Sequence, residues 1–548
     1  MHSATQQQQG FFLRDAFAQL DAVLQRKREA SDMHAAADAE LRRSQQVIQR
    51  WLVIFARQHL HSICMKLMEA AKNAAAAAEA AAAEKPVRRR KQLLPSLSKA
   101  DDDDDLDLGA WAPTDPEHAD TESYFVLDCL RRVLSAAADV TGARGDGLGG
   151  YSILEDETLV GGKGVTSKLG GTEPPSPTSI TTGDALAPLR GHPEALLGFC
   201  YGLVHVGQPA AIRAVACECV GILSLVALKP LVSLLTEGMA KVASDRDERE
   251  WVAYQRAARL IHLSTHSAEQ AGASLRYLKA VANAMSRTSR GVLRLEICRS
   301  LASSLARLMA PADESSASEW GEYCAAASAA EWWAAYGSAY GHAARWATRK
   351  AAHAPFCFEL MTKMLSLASR PHSGLEGAAF ASTARHAQLL SLLSSALRRE
   401  AQRQVLLPIV ADYIAALPPD FVADHLGDPT TPVLPSPAAA SGESQLRALV
   451  AVLLPKRVSL NPKEVAQVRA ALLALGRQPA GGDVLLFVVR DGLRDAGAPV
   501  ATRALLLRVL STLAEERPGL VESQRDALWP LVLPPLQQAA AAAAAAAA

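Results

Sequence analysis

An all-α fold is what the 548 residues predict, on three observations. Aromatic residues make up only 5% of a chain in which alanine is abundant, a choice that favours helix over sheet. Apolar residues recur at steps of three and four rather than two. β-Branched runs such as Val484 to Val489 sit between helical signals and lack turn partners, so no credible strand emerges. The hydrophobic share of 49% is ordinary for a chain with a buried core. Lys+Arg and Asp+Glu both number 57, so the charge balance lacks the basic excess of most nucleic-acid binders and no nucleic-acid partner is expected.

The first helices follow from Phe11 through Leu20, Val23 and Leu24, then from Val47 through Trp51, Ile54 and Ile63 to Met68, spacings that suit two or three amphipathic helices. Within this N-terminal region, residues 1–140, a low-complexity insertion is expected at about 71–120. It comprises an alanine tract to Ala83, the basic run Arg88 to Lys91 and five aspartates at Asp101 to Asp105. A helix resumes over Tyr124 to Val140, and residues 141–187 turn to Gly, Ser, Thr and Pro, the composition of a flexible linker.

From Pro188 the pattern repeats: apolar helical stretches broken by proline or glycine. Leu293, Ile297, Leu301, Leu305 and Leu308 form one stripe, which Pro311 is expected to stop. At Asn461-Pro462-Lys463-Glu464 the start signals coincide, with a capping asparagine, proline at the first helical position and the acid of a capping box. Val465, Val468, Leu472 and Leu475 continue that helix, and Gly476 is expected to end it. Further helices fit Leu446 to Leu454, Asp483 to Arg490 and Val500 to Leu513. Helices in close succession for hundreds of residues predict an α-solenoid of HEAT/armadillo-like helical pairs over 188–460 and 461–537, before the poly-alanine tail 538–548.

Eight cysteines, Cys64, Cys129, Cys200, Cys217, Cys219, Cys298, Cys324 and Cys357, are too sparse for a disulfide scaffold and read as small core residues in a reducing compartment. Met1 to Gly10 carries neither the basic nor the apolar part of a secretion signal. The most apolar run, Ala214 to Leu228, contains Glu218, lies between Arg213 and Lys229, and is too short to span a bilayer. A cytoplasmic protein without a transmembrane segment is expected.

Candidate chemistry is sparse. His262 and His266 lie four apart on an expected helix, where two imidazoles can share Zn²⁺, but Leu263 stands where a zinc protease needs glutamate. Cys217-Glu218-Cys219 has no second pair to close a four-ligand site. Gly161, Gly162, Lys163 and Gly164 fail the phosphate-loop pattern twice, since Glu157 replaces its first glycine and Gly164 its hydroxyl residue. Arg144-Gly145-Asp146 lies in the glycine-rich stretch as a chance triplet. Arg88 to Lys91 has the form of a nuclear import signal, but a solvated basic run balanced by Asp101 to Asp105 is the better account. No catalytic triad can be assembled without choosing residues arbitrarily. Catalytic, cofactor-binding and metal-binding residues are therefore all expected to be none.

Between Ser274 and about Arg457 the chain resembles the N-terminal domain of Furry-type cell morphogenesis proteins. Leu275-Arg276-Tyr277-Leu278-Lys279 is similar to that family's R-Y-L-K helix. Trp332-Trp333-Ala334-Ala335-Tyr336, leading to Trp346, Arg349 and His353, is similar to its W-Y…W-x-x-[KR]-x-x-x-H segment. The apolar helix Phe356 to Leu367 follows in the family's order, with Glu359 where the resemblance leads one to expect proline. The resemblance implies a non-enzymatic scaffold in polarised growth, working in the cytoplasm or at the cell cortex with NDR-type kinases, their Mob co-activators and the cytoskeleton. A helical adaptor in nuclear transport or vesicle trafficking is the alternative, and a hydrolase using His262 and His266 a third reading. Without the resemblance, the same tryptophans read as anchors of helix packing.

Overall fold

The computed structural model describes residues 2–29, 35–84, 122–140 and most of 184–533, the longer exceptions in that last stretch being 242–254, 309–327 and 427–444. Every regular element among the described residues is a helix, save one 3₁₀ turn, so the fold is all-α. Two compact units divide within a helix: residues 1–277 with 306–310, and residues 278–305 with 311–548.

The first unit opens with α1 (His2–Glu29), α2 (Ala35–Glu84) and α3 (Glu122–Val140). Leu20 of α1, Leu52, Leu60, Ile63 and Leu67 of α2, and Leu127 and Leu130 of α3 are at most 2% exposed, and they form its core. The expected insertion starts later than about 71, because α2 runs on through the alanine tract to Glu84. Alanine is the strongest helix former, so the helix propagates through the tract, with Ala74 buried at its start and Ala75 to Ala77 exposed. The basic and acidic runs lie outside the described residues.

A buried carboxylate ties the unit together. Asp128 of α3 accepts from Gln49 Nε2 at 3.1 Å, Arg131 Nη2 at 2.6 Å and Arg132 Nε at 2.8 Å. Arg131 reaches on to Glu218 at 3.1 Å. Burial disfavours its charge, but Asp128 and Glu218 more than offset this and hold the guanidinium protonated.

After the 3₁₀ turn Asp184–Leu189 come α4 (Pro193–Gly202) and α5 (Ala210–Lys241). Leu186 and Leu189 are buried, so packing begins slightly before the expected end of the linker. α3 packs on α5, which means that 141–183, outside the described residues, connect helices of one unit. α5 corrects the length of the apolar run: the helix passes through Lys229 and Pro230 instead of ending there. It bends at Ala227 (φ −134°, ψ 38°), since Pro230 supplies no N–H to the preceding turn and its ring crowds that turn's carbonyl. By length and composition Ala211–Met239 is long and apolar enough to cross a membrane, and 72% of its most apolar window is buried in the protein, as in the core helix of a soluble fold.

α6 (Ala268–Arg287) leads into the second unit, which continues with α7 (Gly291–Ala306), α8 (Ser328–Arg349), α9 (Ala354–Ala368), α10 (Gly374–Phe380), α11 (Thr383–Leu397), α12 (Glu400–Ala415) and α13 (Pro419–Leu426). It closes with α14 (Gln445–Leu453), α15 (Pro462–Arg477), α16 (Gly481–Arg494), α17 (Val500–Glu516) and the single turn α18 (Pro518–Ser523). α8 packs on α9 and α10, α9 on α11 and α12, α12 on α15, and α15 on α16 and α17. Ile297, Leu301 and Leu305 bury as the stripe requires, although α7 ends at Ala306, before Pro311. Val484 to Val489, rejected as a strand, is helical.

The capping box at α15 forms as read. Asn461 Oδ1 accepts from the Glu464 N–H at 2.8 Å and Glu464 Oε2 accepts from the Asn461 N–H at 3.0 Å, with Pro462 in the first turn. Asn461→Ala should cost about 1 kcal/mol, read as a lower urea midpoint at unchanged slope. Gly476 does not end the helix, which continues to Arg477. A Cβ at Gly476 would lie 2.7 Å from Leu485 Cδ2 and 2.8 Å from Leu513 Cδ2. The glycine is there for the close approach of α16 and α17.

Candidate functional site

The sequence-nominated ligands do not converge. His262 lies outside any helix, its N–H donates to Ser224 Oγ of α5 at 2.8 Å, and its side chain is buried. His266 lies outside the described residues, as do Gly161 to Gly164, Arg144 to Asp146 and Cys324. Cys217 and Cys219 are both buried in α5 while the intervening Glu218 pairs with Arg131. Thiol contact with Cys200 and burial push Cys219 well above the ordinary thiol range, and burial does the same to Cys64. Cys298 of α7 and Cys357 of α9 stand 3.9 Å apart, and contact with Cys357 together with burial raises Cys298 likewise. Cys64, Cys219 and Cys298 therefore stay protonated, which suits packing and not nucleophilic attack. Among the described residues no three histidine, cysteine or acidic side chains are placed to hold a metal ion.

Of the residues that resemble the Furry-type segment, those from Trp332 to His353 sit in the second unit. Tyr336 of α8, 1% exposed, donates to the Met364 carbonyl of α9 at 2.9 Å, and burial holds its phenol protonated. Phe380 of α10 meets Trp333, Tyr336 and Tyr340 with ring centroids 5.6, 5.0 and 5.7 Å away. Arg385 covers the same ring at 4.0 Å while donating to the Phe380 carbonyl at 2.7 Å. Arg294 of α7 lies over Trp346 at 5.2 Å. His353 lies against Gly291, where an added Cβ would come 2.7 Å from its Cε1. Pro355, two residues later, fills the first turn of α9, so a proline does open this helix and Glu359 falls inside it. Lys279 of α6 reaches Glu331 of α8 at 2.6 Å on the surface. The tryptophans therefore anchor helices, as their plain reading has it.

Sequence reasoning missed one polar constellation. Ser369 Oγ, at the end of α9, lies 3.2 Å from His386 Nε2 of α11, and His386 Nδ1 lies 2.6 Å from the Tyr413 hydroxyl of α12. No local signal could have joined three residues from three helices. The chain Ser–His–acid is the arrangement of a nucleophile activated by a base, but the proton bookkeeping opposes that here. Ser369 already donates to the Leu365 carbonyl at 2.8 Å, so its Oγ accepts from Nε2–H. Nδ1 then accepts from Tyr413, whose phenol burial holds protonated. In this tautomer the imidazole has no lone pair facing the serine. His386 and Tyr413 are each 1% exposed, so the relay is a buried brace between three helices.

No protein-family model, curated protein or solved structure matches the chain.

Proposed function

We propose that the chain is a non-enzymatic helical scaffold in cell morphogenesis and polarised growth, an α-solenoid of HEAT/armadillo-like pairs. It binds protein partners in the cytoplasm or at the cell cortex. The resemblance to Furry-type proteins assigns those partners as an NDR-type kinase with its Mob co-activator.

One observation supports the reading most. In the second unit packing passes serially along the chain, from α8 to α9, from α9 to α11 and α12, from α12 to α15 and from α15 to α17. Serial packing of neighbours is how a solenoid buries its core, and it leaves long surfaces suited to proteins rather than a single cleft suited to substrate. Trp332, Trp333, Tyr336 and Trp346, which carry part of the resemblance, lie on α8, where that series starts.

Affinity purification of the tagged chain from its native cell, with mass spectrometry, tests the proposal. An NDR-type kinase should be recovered equally with the unaltered chain and with the His262→Ala, His266→Ala double variant. Recovery of coat or import components in its place would move the assignment to an adaptor. A hydrolytic activity lost in the double variant would make the protein an enzyme.

A further inference from the structure

We infer that α2 carries a docking seam for an acidic amphipathic helix of a partner protein. Val47, Trp51 and Ile54 are 44%, 36% and 63% exposed, while Ile48 and Leu52 between them are 1% and 0% exposed. Steps of four and three place the exposed three on one face, beside the face that fills the core. An isolated exposed leucine or valine needs no explanation, but three large apolar side chains in register on one helix form a row.

The row has the register of a two-stranded coiled-coil seam. With Val47 and Ile54 at d, Trp51 falls at a, and Arg43 and Arg50, seven apart, fall at g. Both arginines are exposed. On the other flank the e positions are Ile48, buried, and Phe55, half-buried, which root the seam in the unit's own core. A partner helix therefore meets apolar side chains in the middle and positive charge on its one open side. The sequence sharpens this sign: from Leu41 to Met68 there is no aspartate or glutamate, while Arg42, Arg43, Arg50, Arg57 and Lys66 are all cationic. Lys66 is engaged by Asp21 at 3.5 Å, away from the row. The seam is bounded at its start by exposed Glu40, one heptad before Val47, and at its end by the bend at His59 (φ −129°, ψ 30°). Between these bounds the apolar row runs from Val47 to Ile54, with polar Ser44 and Gln58 at the a positions on either side.

Complementarity fixes the occupant. Its a and d positions are apolar and its e positions acidic, since e faces g across a parallel pair. A second copy of α2 fits poorly: an antiparallel pair sets arginine against arginine, and a parallel pair sets arginine against the buried e flank. A membrane surface also fits poorly, because the apolar row is one residue wide and interfacial helices insert a broad face.

The test uses the full chain and two labelled three-heptad peptides with leucine at a and d, one carrying glutamate and the other lysine at e and g. In fluorescence anisotropy the glutamate peptide should saturate and bind at least about tenfold more tightly than the lysine peptide. Trp51→Ala with Ile54→Asp should weaken it about a hundredfold. Arg43→Glu with Arg50→Glu should reverse the preference in favour of the lysine peptide, a gain that unfolding cannot mimic. Equal binding of both peptides, or binding of neither, would overturn the inference. So would phosphatidylserine vesicles that sediment the chain through Ile54 without peptide binding, or a dimer that Ile54→Asp dissociates.

Discussion

Replacing Arg403 with methionine should destabilise the second unit by about 3 kcal/mol, a loss far above that of an ordinary surface arginine. Arg403 of α12 is 8% exposed and ends on the last turn of α14, where Nη1 donates to the Val452 carbonyl at 2.8 Å and Nη2 to the Leu453 carbonyl at 2.7 Å. Those carbonyls have no partner within their own helix, because a helix leaves its last four unpaired. Glu464 lies 3.9 Å from Nε, so the guanidinium also balances the carboxylate that closes the capping box of α15. Methionine keeps most of the packed stem and removes both donors and the charge. Hydrogen exchange should then show the amides of α14 opening first, since this nine-residue helix is held to α12 by that fork. Arg403→Lys should lose nearly as much, because an ammonium is a point donor and cannot span both carbonyls in the same plane. Unchanged exchange in α14 would contradict the assignment.

A change of comparable size is expected at Gly221 of α5. A Cβ there would sit 2.6 Å from the Leu260 carbonyl oxygen and 2.7 Å from Leu260 Cβ. Neither is the free end of a flexible side chain, so α5 and the stretch at 257–264 must separate. Separation would also break the stitch in which Ser224 Oγ donates to the Gly221 carbonyl at 2.5 Å and accepts from the His262 N–H at 2.8 Å. Gly221→Val should cost about 3 kcal/mol. Gly198 of α4 is an internal control, with nothing within 4 Å of its added Cβ. Gly198→Ala should be neutral or stabilising by a few tenths of a kcal/mol up to about 1, through helix propensity alone. Equal effects at the two positions would contradict the close approach at Gly221.

What was legible in the sequence was what neighbouring residues decide. The cap of α15 is written in four consecutive residues, and its two hydrogen bonds close within them. The stripe on α7 is visible because Ile297, Leu301 and Leu305 lie on one face of one helix. Where a distant partner decides, local pattern misled. Gly476 looks like a stop, but it lies inside the helix, with Leu485 and Leu513 of later helices packed against it. His262 and His266 look like one turn of helix, yet His262 lies outside any helix, its N–H donating to the hydroxyl of Ser224, 38 residues earlier. The alanine tract reads as an insertion, yet alanine's helix propensity carries α2 through it to Glu84, with Ala74 buried and Ala75 to Ala77 exposed. The Ser369–His386–Tyr413 relay could not be read at all, since each member belongs to a different helix. The exposed row on α2 was read as part of an amphipathic pattern; only the packing separates Val47, Trp51 and Ile54 from the neighbours that fill the core.

The scaffold proposal is met most directly by reconstitution. The purified full chain is mixed with an NDR-type kinase bound to its Mob co-activator at about 10 µM, a concentration that populates complexes of micromolar affinity, and resolved by size-exclusion chromatography with light scattering. The account predicts a co-eluting complex of fixed stoichiometry, formed without added metal or cofactor and equally well by the His262→Ala, His266→Ala variant. Separate elution of chain and kinase, together with hydrolytic turnover that the histidine variant loses, would contradict it.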